Sequence, residues 1–183
     1  MTSRPKPLEK LHDIDEQIHQ QVADWHAPVL DQTLPPLSEA ASYSRLWMVI
    51  AALIAAFGGR RGRRSAVAGM VAIGVTSALA NIVVKGVANR RRPGIEVPED
   101  RRLKHPDSTS FPSGHTASAA AFSGVIGGEI PELRLPINAL AAAVGFSRVY
   151  TGVHYPGDVV AGWILGKGVA VIAGRVLRRI DTS

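Results

Sequence analysis

No cysteine occurs among the 183 residues, which removes disulfides, thiol catalysis and cysteine-based metal sites together. Aromatic residues make up only 5% of the chain, and none lies within the basic clusters at 59–64 and 90–107. The stacking surfaces of a nucleic-acid-binding face are therefore missing, and the net charge of +6 reads instead as contact with lipid headgroups or control of topology. No H-E-x-x-H, carboxylate cluster or Walker motif is present. Residues 1–43 lack the compact basic-plus-apolar form of a cleaved signal peptide, and the N-terminus is expected to be retained.

What the chain does have is charge gathered into blocks, with nearly uncharged stretches rich in Ala, Val, Ile and Gly between them. A bilayer imposes that pattern. Five apolar segments result: Leu46–Gly58, Ser65–Val84, Phe111–Gly128, Leu135–Ser147 and Val159–Gly174. Ser65–Val84 is the clearest span, with no charge in 20 residues. The others are short or interrupted, so the expectation of about five transmembrane helices rests on their recurrence. Ala120, Gly124 and Gly128 fall four apart, as do Gly162 and Gly166, which predicts close helix packing. Lys167 interrupts the last segment; snorkelling, a partner within the bundle or a contact in a homo-oligomer each would explain it.

Ahead of the spans, Leu11, Ile14, Ile18, Val22 and Trp25 recur at three or four and line one stripe of a helix, otherwise charged. Such a helix lies on the membrane surface or against the bundle. His12, His19 and His26 share another face, read as polar surface, with metal binding or pH sensing as alternatives. Residues 27–43, with Pro28, Pro35 and Pro36, look like a surface connector. The expected organisation is an interfacial segment over 1–43 and an all-α membrane domain over 44–183.

Three polar clusters border the spans, where ionisable groups are costly and invite a functional reading. In KGVANRRRP, Lys85 and Arg92 lie two helical turns apart and point the same way, a receptor for phosphate; a topology-setting flank accounts for Arg90 and Arg91. In FPSGHT, Ser113 opens a helix whose first amides form an anion site, Gly114 admits close approach, and His115 stands ready to hand over a proton. A Ser-Gly turn before a helix is also common without function. In SRVYTGVHYPGD, Asp158 follows His154 by four residues, close enough to orient its ring and present the other nitrogen as a nucleophile; a polar turn explains Asp158 but neither His154 nor Arg148. Spans of alternating direction bring all three clusters to one face. Together they specify phosphoryl transfer.

K-x6-R-P at 85–93, P-S-G-H at 112–115 and S-R-x5-H-x3-D at 147–158 resemble, complete and in order, the signature of the type 2 phosphatidic acid phosphatase family. The wider phrasing, SFPSGHTASAAAF and SRVYTGVHYPGDVVAG, is similar to actinobacterial members. The resemblance implies a lipid-phosphate phosphatase with Lys85, Arg92, Arg148, Ser113 and Gly114 on the phosphate. It also implies His154 as nucleophile assisted by Asp158, His115 as acid and then base, and no metal. Substrates implied are phosphatidic acid, phosphatidylglycerophosphate, polyprenyl diphosphate or polyprenyl-phosphoryl pentose phosphate. A soluble vanadium haloperoxidase shares such an anion site but not the spans, and a non-enzymatic lipid-binding or lipid-moving protein is the other alternative. The arginines at 60, 61, 63 and 64, with Arg134, Arg175, Arg178 and Arg179, mark one face as cytoplasmic and put the site on the outer one.

Overall fold

All five apolar segments form helices in the computed structural model, which describes residues 6–25, 27–80, 90–94, 97–103 and 109–181. The helices are α1 (Lys6–Ala23), α2 (Pro28–Ala40), α3 (Arg45–Phe57), α4 (Gly59–Ala78), α5 (Gly114–Glu129), α6 (Arg134–Tyr150) and α7 (Pro156–Asp181). No strand occurs among the described residues. The end of the second segment, 81–84, lies outside them.

The central helix is α5, packed against α7, α4 and α6. Its sequence is mostly Ala, Gly and Ser, and it is buried along nearly its whole length. Small residues permit this: a Cβ on Gly166 would strike the Ala117 carbonyl oxygen, and one on Gly124 would lie 2.5 Å from the Ala170 Cβ. The predicted contacts at Ala120, Gly124, Gly162 and Gly166 are therefore made, whereas Gly128 has nothing within 4 Å of its Cβ position. Trp47 of α3 reaches Phe122 of α5 at 5.3 Å between ring centroids, and Ile73, Ile126 and Val144 complete that core.

Hydroxyls share the interior with apolar side chains, and much of the outer surface is apolar too. Ser65, Thr76, Ser118 and Ser123 are buried, while Met48, Leu53, Phe57, Val67, Val71, Ile164 and Ile172 face outward. Lipid suits such a surface, and with lipid outside, the bundle is held by close van der Waals contact rather than by removing apolar area from water. Among the described residues, by length and composition α7 alone, over Pro156–Ile180, qualifies to cross a membrane; α2 with Ser42–Phe57, bent by 68°, qualifies as a pair. The 16 residues of α5 reach about 24 Å at 1.5 Å per residue, short of a hydrocarbon core of about 30 Å.

The expected connector at 27–43 is instead mostly helix. Pro35 and Pro36 sit inside α2, each forfeiting one backbone bond, and Leu34, Pro35 and Ser38 are buried. A membrane bundle tolerates such losses because neighbouring elements hold the helix. Lys167 is also explained: its ammonium donates to Asn138 Oδ1 and, at 3.3 Å, to Ser123 Oγ, and lies 4.9 Å from the Trp163 ring centroid. It pairs within the bundle.

Candidate active site

Ser113 leaves α5 with extended backbone, and its Oγ accepts from the Thr116 hydroxyl at 3.0 Å and from the Thr116 N–H at 3.5 Å, capping the helix. The Ser113 N–H donates to the Asp158 carbonyl at 3.0 Å, which joins the start of α5 to the start of α7. A Cβ on Gly114 would meet nothing within 4 Å, so packing does not require glycine there, and the space lies before the first turn of α5. That space suits an anion.

The chain turns sharply after α6. Gly152 takes φ +74°, and a Cβ there would lie 3.0 Å from Val97, so the turn needs glycine twice over. Just beyond it the His154 N–H donates to the Arg148 carbonyl at 3.1 Å. The imidazole is 3% exposed. Nδ1 lies 3.5 Å from Asp158 Oδ2, an approach that does not reach hydrogen-bond geometry, and Nε2 lies 3.3 Å from Arg92 Nη1. An arginine only donates, so Nε2 accepts and the proton resides on Nδ1, toward Asp158. Burial first, then the charges of Arg148 and Arg92, push the His154 pKa down to about 4, against the opposing pull of Asp158. The ring is neutral at pH 7.

Cations surround that nitrogen. Arg92 donates to the Val153 carbonyl at 2.7 Å as well as facing His154. Arg148 is 3% exposed, donates from Nη1 to Ser38 Oγ at 2.7 Å, and has an Nε with no partner among the described residues. His115 Nε2 lies 3.4 Å from Ser42 Oγ, which is itself 3.4 Å from the Ser38 carbonyl. Contacts thus run from Arg148 through Ser38 and Ser42 to His115. Lys85 lies outside the described residues.

Seven of the eight residues picked from the sequence are thus joined: His154, His115, Asp158, Arg92, Arg148, Ser113 and Gly114 meet at the paired starts of α5 and α7. Sequence reasoning missed four others. Ser38 and Ser42 sit where α2 bends into α3, a bend carried by Tyr43 and Ser44 at φ 52° and 59°. Arg90 donates from Nη1 to Asp158 Oδ1 at 2.9 Å and from Nη2 to Asp15 Oδ2 at 2.7 Å. Nothing in a run of three arginines distinguishes that one. No cluster of three or more His, Cys, Asp or Glu able to hold a metal occurs among the described residues.

The chain is 35% identical over 152 residues to a decaprenylphosphoryl-5-phosphoribose phosphatase of Mycobacterium tuberculosis, covering 81% of each. It is 37% identical over 102 residues to phosphatidylglycerophosphatase B of Bacillus subtilis, covering 50% of this chain and 48% of that one. The crystal structure of a transmembrane PAP2 type phosphatidylglycerolphosphate phosphatase from Bacillus subtilis superposes with a TM-score of 0.74 at 26% identity, covering 93% of this chain and 88% of that one. Aquifex aeolicus LpxE gives a TM-score of 0.70 at 26% identity, covering 86% and 92%. The model of the PAP2 superfamily matches residues 65–180, from α4 through all three polar clusters to the end of α7, and the chain belongs to that superfamily.

Proposed function

We propose that this phosphatase hydrolyses a lipid phosphate through a phosphohistidine at His154, with His115 as acid and then base. The observation that carries the reading is the buried His154, with its Nδ1 toward Asp158 and its Nε2 aimed at the guanidinium of Arg92. The Nε2 lone pair attacks phosphorus as the bond to the leaving oxygen breaks, and His115 gives that oxygen its proton. Water then attacks the phosphohistidine while His115 takes a proton, the P–N bond breaks, and phosphate departs. Asp158 steadies the imidazolium character that develops. Arg92, Arg148, Lys85, the Ser113 hydroxyl and the Gly114 amide hold the phosphate oxygens, a set of donors aimed at developing charge.

The relative matched over 81% of both chains supports a polyprenyl-phosphoryl pentose phosphate as substrate. Placement of the site on the outer face draws on the positive-inside rule: Arg64 donates to the Leu177 carbonyl at 2.7 Å, so the arginine-rich start of α4 and end of α7 adjoin, away from the site.

The test is phosphate release by detergent-purified wild type and His154→Ala from the four lipid classes named above. Loss of release of at least about 10³-fold in the variant is expected. Equal inactivity of both proteins across the panel would sink the reading. Vanadate should inhibit and EDTA should not.

A further inference from the structure

We infer that Arg90 and Asp15 are positioning residues: α1 docks Asp15 onto the start of α7 and onto Arg90, and Arg90 in turn holds the Asp158 carboxylate against His154. The inference rests on the proposed role of His154 for its catalytic consequence, but the contacts stand by themselves.

Arg90 bridges two carboxylates with the two arms of its fork, Nη1 to Asp158 at 2.9 Å and Nη2 to Asp15 at 2.7 Å. Its guanidinium carbon lies 4.1 Å from the centroid of the Tyr155 ring. Asp15 uses its other oxygen to accept the Gly157 N–H at 2.7 Å, in the first turn of α7, where a negative charge suits the helix dipole. Gly157 records the same contact independently, because a Cβ there would lie 2.6 Å from Asp15 Oδ2. A side chain at 157 would evict Asp15.

This is no surface ion pair. Side-chain exposure is 0% for Asp158, 14% for Asp15 and 23% for Arg90, so solvent screens the three charges weakly. Other titratable and charged groups face them: His12, Glu16 and His19 from α1, Tyr155 from the connector, and Arg92 and Arg148 beside His154. The Asp158 carboxylate serves His154 from Oδ2 while Arg90 and the Tyr155 N–H fix its plane. Without Arg90 the Tyr155 N–H is left to hold that plane.

The two residues act on His154 with opposite signs. Arg90→Gln deletes a cation beside the pair, so His154 binds a proton more tightly and its titration midpoint rises. Asp15→Asn deletes the anion that offsets Arg90, so the midpoint falls. A residue that merely supports the fold would lower activity without moving the midpoint in opposite directions.

The experiment is an NMR pH titration of ¹⁵N-histidine-labelled full-length protein in detergent, with His154 assigned by His154→Gln, run beside phosphate release from the same preparations. Arg90→Gln should raise the His154 midpoint by about 0.5–1 pH unit and lower kcat about 10- to 100-fold, with KM little changed. Asp15→Asn should lower the midpoint, or keep the ring neutral to the lowest pH at which the protein stays folded, and lower kcat about 3- to 10-fold. Arg90→Lys should hold the midpoint near wild type yet recover only part of kcat, because a point charge cannot span both carboxylates. Unmoved midpoints, or shifts of the same sign, overturn the inference. Should Arg90→Gln fail to fold, Arg90→Lys and Asp15→Asn still decide it. Opposed shifts in a wild type that releases no phosphate would support the clamp and defeat the catalytic reading instead.

Discussion

Helices α5 and α1 border the same site and obey opposite rules. In α5 nearly every position is buried, apolar and hydroxyl residues alike, and what admits them is size. In α1 the regular stripe of Leu11, Ile14 and Ile18 points outward, and the polar face, with His19 wholly buried, packs on the bundle. In a bundle wrapped by lipid, small volume decides who occupies the centre. At the membrane boundary polarity decides, with the sense reversed from that of a protein in water.

If size rules α5, enlarging one residue should be the most damaging change. Gly166→Leu should force the backbones of α5 and α7 apart, costing about 3 kcal/mol or more and abolishing phosphate release, whereas Gly128→Leu should stay within about 0.5 kcal/mol. Thermal unfolding in detergent measures both, and equal losses would erase the distinction between packed and open glycines.

The connector that carries His154 offers a pH test. Its folded pKa of about 4 lies below the unfolded value near 6.5, so the unfolded state binds the extra proton first. Stability is then full above about pH 6.5 and declines toward pH 4, by at most about 3 kcal/mol, and His154→Gln should flatten the decline.

Charge should matter where α1 and α2 join the bundle. Arg101, 1% exposed, pairs with Asp31, stacks 4.6 Å from the Tyr150 centroid and donates to the Ala23 carbonyl at 3.3 Å. Arg101→Met keeps the volume but takes the cation from Asp31, which still accepts from the Tyr150 hydroxyl, and a donor from the Ala23 carbonyl, and should cost about 2 kcal/mol. A neutral outcome would mean that shape alone holds this arm. The smallest effect is expected at Ser38→Ala, which removes one partner of Arg148. It should raise KM about tenfold, about 1.4 kcal/mol, without lowering the unfolding temperature.

These contrasts also explain what the sequence disclosed. The α5–α7 pair was legible because its information is local: Ala and Gly at spacings of four, a capping serine, and histidines near helix starts. The family signature covers the same ground. The α1–α2 arm was legible only as far as helix α1 itself, for two physical reasons. Pro35 and Pro36 signal a break in water-based reasoning, yet a surrounding bundle holds the helix. Asp15, Ser38, Ser42 and Arg90 act only through partners distant in the chain, and no spacing announces a contact between residues 15 and 157.

The elbow between α2 and α3 has one more consequence. A single turn of chain supplies Ser38 to Arg148 and Ser42 to His115, so the proposed grip on phosphate and the proposed delivery of the proton hang from one hinge. Any displacement of that turn alters both at once. A change that moves the turn itself would therefore alter affinity and turnover together.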